Sequence, residues 1–288
     1  MAAFGTDTTK FSDMFNAALK ARKDAGIVNL LNRPGLVAGG AKSGTQNVRI
    51  TTAVTLQTPA DGTMLANNAA RTNVALTAFV GAHTLSLFGY ELEQWDADAD
   101  AAEVNAFIDA AILAAETAII TGLVGMTPTS TATLTAGQLN FSTHATDGEI
   151  RDNLGKLYTS LAGVISLTQG KPKQIVGITT PTAYANLWAL ADSAGAGGNI
   201  RVADDILYIK GYPVFMTSAA FTGFGTAAAA DAFYWVHRDG YALCWSGAEI
   251  HTPLSPTSDG LYKKIWQSYG WQGEIQDSHI GVVVNGSA

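Results

Sequence analysis

The spacing of hydrophobic and polar residues changes from a helical to a strand period within the first eighty residues. Thr6 or Asp7 can cap a helix whose apolar residues share one stripe, formed by Phe11, Met14, Phe15, Ala18 and Leu19. From residue 48 to 57, and again from 74 to 80, apolar and polar residues alternate, with turn chemistry between these runs. Residues 46–82 are therefore predicted to form a long β-hairpin. Because a lone hairpin is marginally stable in water, we expect it to lie on the subunit or on a neighbour.

The strongest helix signal begins at Asp100, where Glu103 completes an Asp-led capping box. Apolar residues at helical spacing then form a broad stripe, which comprises Val104, Phe107, Ile108, Ala111, Ile112, Ala115, Ile119 and Leu123, with Leu113 and Ile120 elsewhere on the surface. So wide an apolar circumference predicts a buried helix, which Gly122 or Gly125 can end. The polar tract 127–133 is predicted to be a loop.

The second half of the chain alternates helix and strand patterns. A second helix is predicted after Asp147, with an apolar stripe of its own. Residues 174–179 have the composition of a buried strand. Thr180 then supplies an N-cap, and Pro181 occupies the first helical position, where proline is favoured. This block is predicted to be α/β.

Turn chemistry divides the remaining sequence into strands. Two apolar runs at 206–209 and 214–216 are hinged at Gly211 and Pro213, which predicts a β-turn-β element. Further strands are predicted on both sides of the Arg238-Asp239-Gly240 turn signal, as a hairpin of residues 233–237 and 241–245, and also at 261–268 and 280–284.

Three segments, taken in order, resemble the major capsid proteins of tailed phages, whose fold is named after phage Hong Kong 97. They are residues 176–187 (VGITTPTAYANL), 204–221 (DDILYIKGYPVFMTSAAF) and 273–284 (GEIQDSHIGVVV). The resemblance implies an α+β fold in five parts: an N-terminal arm at 1–45, an extended loop at 46–90, a peripheral domain with a long spine helix at 91–146, an axial α/β domain at 147–250 and a peripheral return at 251–288. It also implies hexamers and pentamers that tile an icosahedral shell around double-stranded DNA.

The amino-acid composition indicates what covers the surface of this protein. Charged residues are 14% of the 288 residues and hydrophobic residues are 47%, so we expect a protein partner to cover much of the surface. A membrane is a poorer candidate, because the apolar stretch 104–124 contains Asp109 and Glu116. The net charge of −7 divides unevenly: residues 1–71 carry eight basic and four acidic groups, whereas the rest sum to −11. A basic arm on an acidic body can pair with neighbouring subunits, can face nucleic acid, or can be a helix with a solvated cationic end.

Candidate chemistry is sparse, and we predict no catalytic, cofactor-binding or metal-binding residues and no cofactor. The single cysteine, Cys244, excludes an internal disulfide, and Ser246 lacks the leading glycine of a nucleophile elbow. The five histidines show no metal-ligand spacing on one helix; they are His83, His144, His237, His251 and His279. The acids Asp96, Asp98 and Asp100 resemble the start of a calcium loop, but its glycine and its final glutamate are missing, so we interpret them as helix-initiating acids. The glycine loop 195–198 does not match a dinucleotide motif.

The function implied by the resemblance is therefore structural and not enzymatic. Its expected partners are copies of this chain, a separate scaffolding protein or none, a portal, a decoration protein and packaged double-stranded DNA contacted without sequence specificity, with no membrane. The expected location is the virion, assembled in the bacterial cytoplasm, since no secretion signal is visible. Two alternatives stay open: an encapsulin-type nanocompartment of the same fold that encloses enzyme cargo, and a β-rich surface or adhesion protein.

Overall fold

The computed structural model describes the chain in segments, and all structural statements concern these. They are residues 26–33, 36, 45–54, 69–88, 97–126, 128, 130–134, 147–168, 174–191, 199–217, 233–251, 261–276 and 279–285. The expected N-terminal helix at 6–19, the hairpin tip, the glycine loop 195–198 and His144 lie outside them.

Four helices and eleven strands are defined in the described residues. In chain order they are α1 (Gly26–Leu31), β1 (Thr45–Val54), β2 (Ala69–Phe88), α2 (Ala97–Val124), β3 (Ser130–Leu134), α3 (Asp147–Leu167), β4 (Ile175–Thr179), α4 (Pro181–Ala191), β5 (Ile200–Ala203), β6 (Ile206–Ile209), β7 (Tyr212–Met216), β8 (Phe233–His237), β9 (Tyr241–His251), β10 (Leu261–Glu274) and β11 (Ile280–Asn285).

The larger sheet has seven strands in the order β3-β11-β8-β4-β7-β6-β5. It is mixed, because β3 pairs with β11 and β4 pairs with β7 in parallel while the other neighbours are antiparallel. The predicted β-turn-β element is confirmed as the β6–β7 hairpin. Gly211 lies there at φ +87°, a conformation that glycine adopts without strain.

Helices cover both faces of this sheet, so its central strands are buried on each side. Alternate residues of each strand face opposite layers. Val176 and Ile178 of β4 pack in one apolar cluster with α1 and α2, whereas Ile175 packs in a second cluster with α3 and α4. This placement explains why β4 and β8 are buried at every position. The predicted N-cap of α4 is also confirmed, because the amide of Ala183 donates to Oγ1 of Thr180 over 3.3 Å.

The smaller sheet is fully antiparallel and has the order β1-β2-β10-β9. It contains the predicted long hairpin, formed by β1 and β2, so this prediction is confirmed for the described strands. The second strand continues beyond its predicted end at residue 82 and reaches Phe88. β9, which lies largely in the expected axial segment, pairs with β10 of the expected peripheral return. The five-part division of the chain stays a prediction.

Two details of the long helix differ from the sequence expectation. α2 begins at Ala97 and not at Asp100, so Asp98 and Asp100 lie within its first turn, where acidic groups favour the helix dipole. Ile120, expected outside the apolar stripe, is buried in the main core. The apolar stripe is therefore wider than the strict helical spacing indicated, because α2 packs against more than one element.

The polar tract 127–133, expected to be a loop, contains most of the strand Ser130–Leu134, and that prediction was wrong for residues 130–133. β3 pairs in parallel with β11, a strand about 150 positions later in the sequence. Ala132 is buried between exposed neighbours Thr131 and Thr133. Threonine is β-branched and suits a pleated surface, but the low hydrophobicity of the tract concealed this pattern.

The hairpin expected around Arg238-Asp239-Gly240 was also wrong. A turn is present, and the amide of Gly240 donates to the carbonyl of His237 over 2.8 Å. The flanking strands belong to different sheets, however, because β8 lies between β11 and β4 while β9 pairs with β10. Both neighbours of β8 are thus strands distant in sequence. The turn is the corner at which the chain passes from one sheet to the other.

Candidate assembly surface

β2 pairs with one strand along its first part and with another along its second part. Residues 69–77 pair with β1, and residues 77–88 pair with β10. In the described part of the chain the two ladders overlap at Thr77, which lies opposite both Thr45 and Gln272. The distal hairpin is therefore a two-stranded ribbon, whereas its base belongs to the sheet of the subunit.

The two faces of this ribbon differ in polarity. On one face, Val48, Val74 and Leu76 pack against Trp271 and its neighbours in a small apolar cluster. On the other face, alternate residues are exposed and polar, and they include Arg49, Arg71 and Asn73. Arg49 lies opposite Asn73, and Arg71 lies two residues further along β2. The ribbon thus presents two guanidinium groups on one exposed surface.

The ribbon is anchored most firmly at Leu76, whose side chain is fully buried. A Cβ added at Gly273 would lie 2.8 Å from Cδ2 of Leu76, so the backbone of β10 approaches this side chain closely. Beyond Asn73 and Arg49 the ribbon pairs with no third strand among the described residues. Because two-stranded ribbons are marginally stable alone, the distal part is the segment that most needs a contact outside its own sheet.

α2 lies where the two sheets meet. Its buried side chains pack against residues of both sheets and of α1 in one continuous cluster, which includes Ile27, Ile178, Tyr234, Leu243 and Ile280. Tyr241 of β9 lies against the helix, and its hydroxyl donates to the carbonyl of Ala118 over 3.3 Å. A Cβ added at Gly122 would lie 2.7 Å from Cε2 of Tyr241, so glycine is required for this approach. Burial raises the pKa of the Tyr241 phenol well above its ordinary value.

A buried polar contact links α2 to the end of β7. Oγ1 of Thr217 donates to Oε2 of Glu116 over 2.9 Å, and both side chains are buried. The amide of Thr217 also donates to the carbonyl of Thr179 over 3.1 Å, which ties the same residue to β4. Because a buried carboxylate is costly without partners, this contact fixes the position of α2 relative to the larger sheet.

The corner between the sheets is held by the segment that follows α1. The guanidinium of Arg33 donates to the carbonyl of Arg238, and Arg238 donates in turn to the carbonyl of Asn32 over 3.2 Å. Nη1 of Arg33 lies 3.5 Å from Oδ1 of Asp239. Burial lowers the pKa of Arg33, while Asp239 opposes that shift. These reciprocal bonds join residues more than 200 positions apart into one rigid corner.

An apolar cleft of about 300 Å³ separates β2 from α2. Phe107 and Ala111 belong to its lining and are buried, whereas Ala106, Ala110 and Ala114 are exposed along it. On the strand side, Nε2 of His83 lies 3.0 Å from Oε2 of Glu103, a polar contact between β2 and α2. The cleft therefore has apolar walls and an acidic group close to it.

The residues considered for chemistry do not converge. His83 contacts Glu103, whereas buried His237 and half-buried His279 have their ring centroids 5.5 Å apart. Sequence spacing missed this histidine pair, because 42 positions separate the two residues. Within the described ranges, no group of three His, Cys, Asp or Glu side chains is placed to hold a metal ion. Cys244 is buried in the apolar cluster beneath the hairpin.

By length and composition, the stretch Ala102–Val124 of α2 is apolar enough to cross a membrane, with a mean hydropathy of 1.8. Half of its most apolar 18-residue window is buried inside the chain, and a buried core helix passes the same test of length and composition. The packing of α2 between two sheets accounts for its apolar composition without a bilayer.

Comparison of the structure with solved structures identifies its fold. The capsid of an empty GTA particle aligns with a TM-score of 0.62 and 12% identity, over 92% of this chain and 91% of that chain. The capsid of cyanophage P-SCSP1u aligns with a TM-score of 0.60 and 10% identity, over 90% and 87%. The SrpI encapsulin of Synechococcus elongatus aligns with a TM-score of 0.59 and 12% identity, over 92% and 89%.

These alignments cover most of both chains, so the likeness of fold extends over most of the chain. The chain has the Hong Kong 97-type capsid fold, as the sequence resemblance predicted. No protein-family model matches the sequence, and no curated protein matches it. At 10–12% sequence identity, these alignments show a common fold and do not by themselves show a common function.

Proposed function

We propose that this chain is the major subunit of an icosahedral phage head, a structural protein without turnover. The support is the shared fold, since the aligned structures include phage capsids over nearly the whole chain. The low content of charged residues favours the same role, because the buried centres of subunit contacts are depleted in charge. In this proposal the chain assembles as hexamers and pentamers.

The distal ribbon carries the proposal, because it projects beyond its own sheet. The ribbon presents Arg49 and Arg71 on an exposed face, and the residues from 72 onward are strongly acidic overall. We infer that the ribbon lies across a neighbouring subunit, where its cations meet acidic surface. Each Å² of apolar ribbon surface that the neighbour buries stabilises the contact by about 25 cal/mol. Over a few hundred Å² this free energy is enough to make weak subunit contacts sufficient for a closed shell.

The decisive experiment shortens the ribbon without disturbing its base. Arg49 and Asn73 are directly paired, so an Asn-Gly turn can join them and replace residues 50–72. We expect the shortened chain to keep its circular dichroism and its cooperative unfolding while particles disappear. Normal particles from this variant would contradict the proposed role of the ribbon.

A matched variant separates folding from assembly. Leu76→Ala removes the buried anchor at the base of the ribbon, so it should lower the free energy of unfolding by about 2–5 kcal/mol. If the shortened ribbon instead destabilised the subunit as strongly as Leu76→Ala does, the distal ribbon would belong to the subunit core, and its assignment as an intersubunit element would be wrong.

The further partners follow from the same proposal. A head that packages double-stranded DNA requires a portal, and it uses a separate scaffolding protein or none; a decoration protein on the outer surface completes the expected set. The chain would then be assembled in the bacterial cytoplasm and reside in the virion, with no membrane. Co-purification of these proteins with particles from infected cells would test each partner.

An encapsulin-type shell is the second candidate, because the SrpI encapsulin shares the fold at nearly the same TM-score as the phage capsids. The two candidates differ in what the shell encloses. Native particles of a phage head contain double-stranded DNA, whereas those of a nanocompartment contain enzyme cargo. Nuclease-protected nucleic acid inside purified native particles would support the first, and its absence together with a co-purified enzyme would support the second.

A further inference from the structure

His237 ends β8 directly before the turn that carries the chain from the larger sheet to the smaller one. Its side chain is fully buried. The ring nitrogen Nδ1 accepts a hydrogen bond of 3.0 Å from the backbone amide of Asp239. A backbone amide can only donate, so Nδ1 carries no proton in this arrangement. The imidazole is therefore neutral, with its proton on Nε2, while the turn is formed.

The bond to Nδ1 is part of the backbone network that closes this corner. The amide of Gly240 donates to the carbonyl of His237 over 2.8 Å, and the carbonyl of Gly240 accepts from the amides of Ile275 and Gln276 over 2.9 and 3.1 Å. Ile275 and Gln276 directly follow β10, a strand of the smaller sheet. The turn thus joins β8 of one sheet to the end of β10 of the other, and the neutral ring of His237 holds Asp239 in the middle of it.

A proton on Nδ1 would reverse the role of this nitrogen. As a donor it could no longer pair with the amide of Asp239, and the charged ring would be buried, which is costly without a partner. The carboxylate of Asp239 is an acceptor within reach, because its Oδ2 lies 3.9 Å from Nδ1. Oδ1 of the same carboxylate lies 3.5 Å from Nη1 of Arg33. Protonated His237 and Arg33 would therefore compete for one carboxylate.

Other titratable groups surround the same turn. The ring centroid of His279 lies 5.5 Å from that of His237, so a proton on either ring disfavours a proton on the other. The described segments bring to the turn the titratable groups of Arg33 after α1, Arg238 and Asp239 in the turn itself, Glu274 at the end of β10 and His279 before β11. Protonation of His237 would thus weaken both the backbone bond that holds the turn and the contact of Asp239 with Arg33.

We propose that His237 is an acid-sensitive latch at the corner between the two sheets: the neutral ring holds the turn closed, and the protonated ring releases it. In the unfolded chain an imidazole takes up a proton below about pH 6.5. Opening of the corner is therefore coupled to proton uptake, and its equilibrium constant rises by up to about tenfold for each unit by which the pH falls below that value. The latch is fully engaged at higher pH. It acts within one subunit, so it does not depend on the shell proposal.

Hydrogen exchange of dissociated full-length subunits at about pH 7.5 and about pH 5 tests the latch without any substitution. The reference is the amide of Lys210, which donates to the carbonyl of Asn199 over 2.7 Å beside a turn that contains no histidine. After correction for the exchange rate of free amides, we expect the protection of the Asp239 and Gly240 amides to fall by at least about tenfold in acid, while that of Lys210 stays constant. Unchanged protection at the corner, or an equal loss at both turns, would overturn the proposal.

His237→Asn isolates the contribution of the ring, because the asparagine Oδ1 can accept the amide of Asp239 in place of Nδ1 but does not titrate. Urea unfolding should show the ratio of the unfolding constants, parent over variant, rising by at least about tenfold between about pH 7.5 and about pH 5. His83→Asn makes the same exchange at a histidine whose side chain is 43% exposed, and it should leave the acid dependence of the parent in place. If His237→Asn does not fold, the exchange measurement decides alone. A constant ratio between the parent and a folded His237→Asn would contradict the latch.

Discussion

The buried hydroxyl of Thr217 donates a hydrogen bond of 2.9 Å to the carboxylate of Glu116, and this contact joins the long helix α2 to the end of β7 in the larger sheet. Glu116 belongs to the face that packs the core, where charged groups are otherwise excluded. We expect Thr217→Val to lower the free energy of unfolding by about 1–3 kcal/mol, because it removes a donor to a buried carboxylate.

Thr217→Ser is the matched control for this contact, because it keeps the hydroxyl and loses one methyl group. Denaturant unfolding of dissociated subunits measures both variants. Equal stability of the valine and serine variants would mean that the hydrogen bond contributes nothing to the position of α2.

The burial of α2 leads to a second prediction. Ile112 is 6% exposed within the main core, so Ile112→Asp should cost several kcal/mol by placing an unpaired carboxylate there. Asn105→Asp introduces the same group at an exposed position of the same helix and should change stability by less than about 0.5 kcal/mol. Soluble expression and unchanged thermal unfolding of Ile112→Asp would show that this face of α2 is not covered.

The close approach of Tyr241 to α2 gives a third prediction, in which two helical glycines respond in opposite directions. A Cβ at Gly122 would meet the Tyr241 ring, so Gly122→Ala should destabilise the subunit by about 1–3 kcal/mol through overpacking. Gly155 of α3 has open space, so Gly155→Ala should stabilise it by about 0.5–1 kcal/mol through helix propensity. Differential scanning calorimetry of both variants checks the signs, and a stabilising Gly122→Ala would refute the contact.

The stability of the subunit at alkaline pH tests whether Tyr241 and Tyr234, which pack in the same cluster as α2, are buried. Burial raises the pKa of Tyr241 and Tyr234 above the ordinary value of about 10, so the unfolded state loses these protons first as pH rises. Their contribution is therefore fully present below pH about 10 and is lost above it, at about 1.4 kcal/mol per pH unit for each phenol.

Tyr241→Phe removes one of the two ionisations. The free energy of unfolding of this variant should decline less steeply between pH 10 and 12, although at neutral pH it lacks the hydrogen bond to Ala118. Urea titrations at several pH values give the two slopes. Parallel slopes for the parent and the variant would show that Tyr241 ionises in the folded state.

Local patterns predicted the elements better than their partners. The alternation along residues 48–57 and 74–80 identified the hairpin, and Gly211 marked the β6–β7 turn, because both signals lie within a few residues. The Arg238-Asp239-Gly240 turn was equally clear, yet β8 pairs with β4 and β11, which approach it from distant parts of the sequence. Local propensity does not indicate which distant strands will pair. β3 was missed for the same reason, since its pairing with β11 stabilises a polar strand.

The candidate assembly surface was only partly accessible to sequence reasoning. The alternating pattern showed that the hairpin needs a covering surface, but it did not show that β10 pairs only with the base of β2 and leaves residues 69–76 paired with β1 alone. Likewise, the apolar circumference of α2 predicted a buried helix. Only the structure shows that one side faces an open cleft beside the hairpin.

The central claim is that this chain builds a closed shell, and its most direct test is sedimentation velocity of the purified full-length protein at micromolar concentration, with electron microscopy of the sedimenting species. We predict rings of five and six subunits together with closed icosahedral particles. A stable monomer of 30.0 kDa that forms neither rings nor shells would contradict the account.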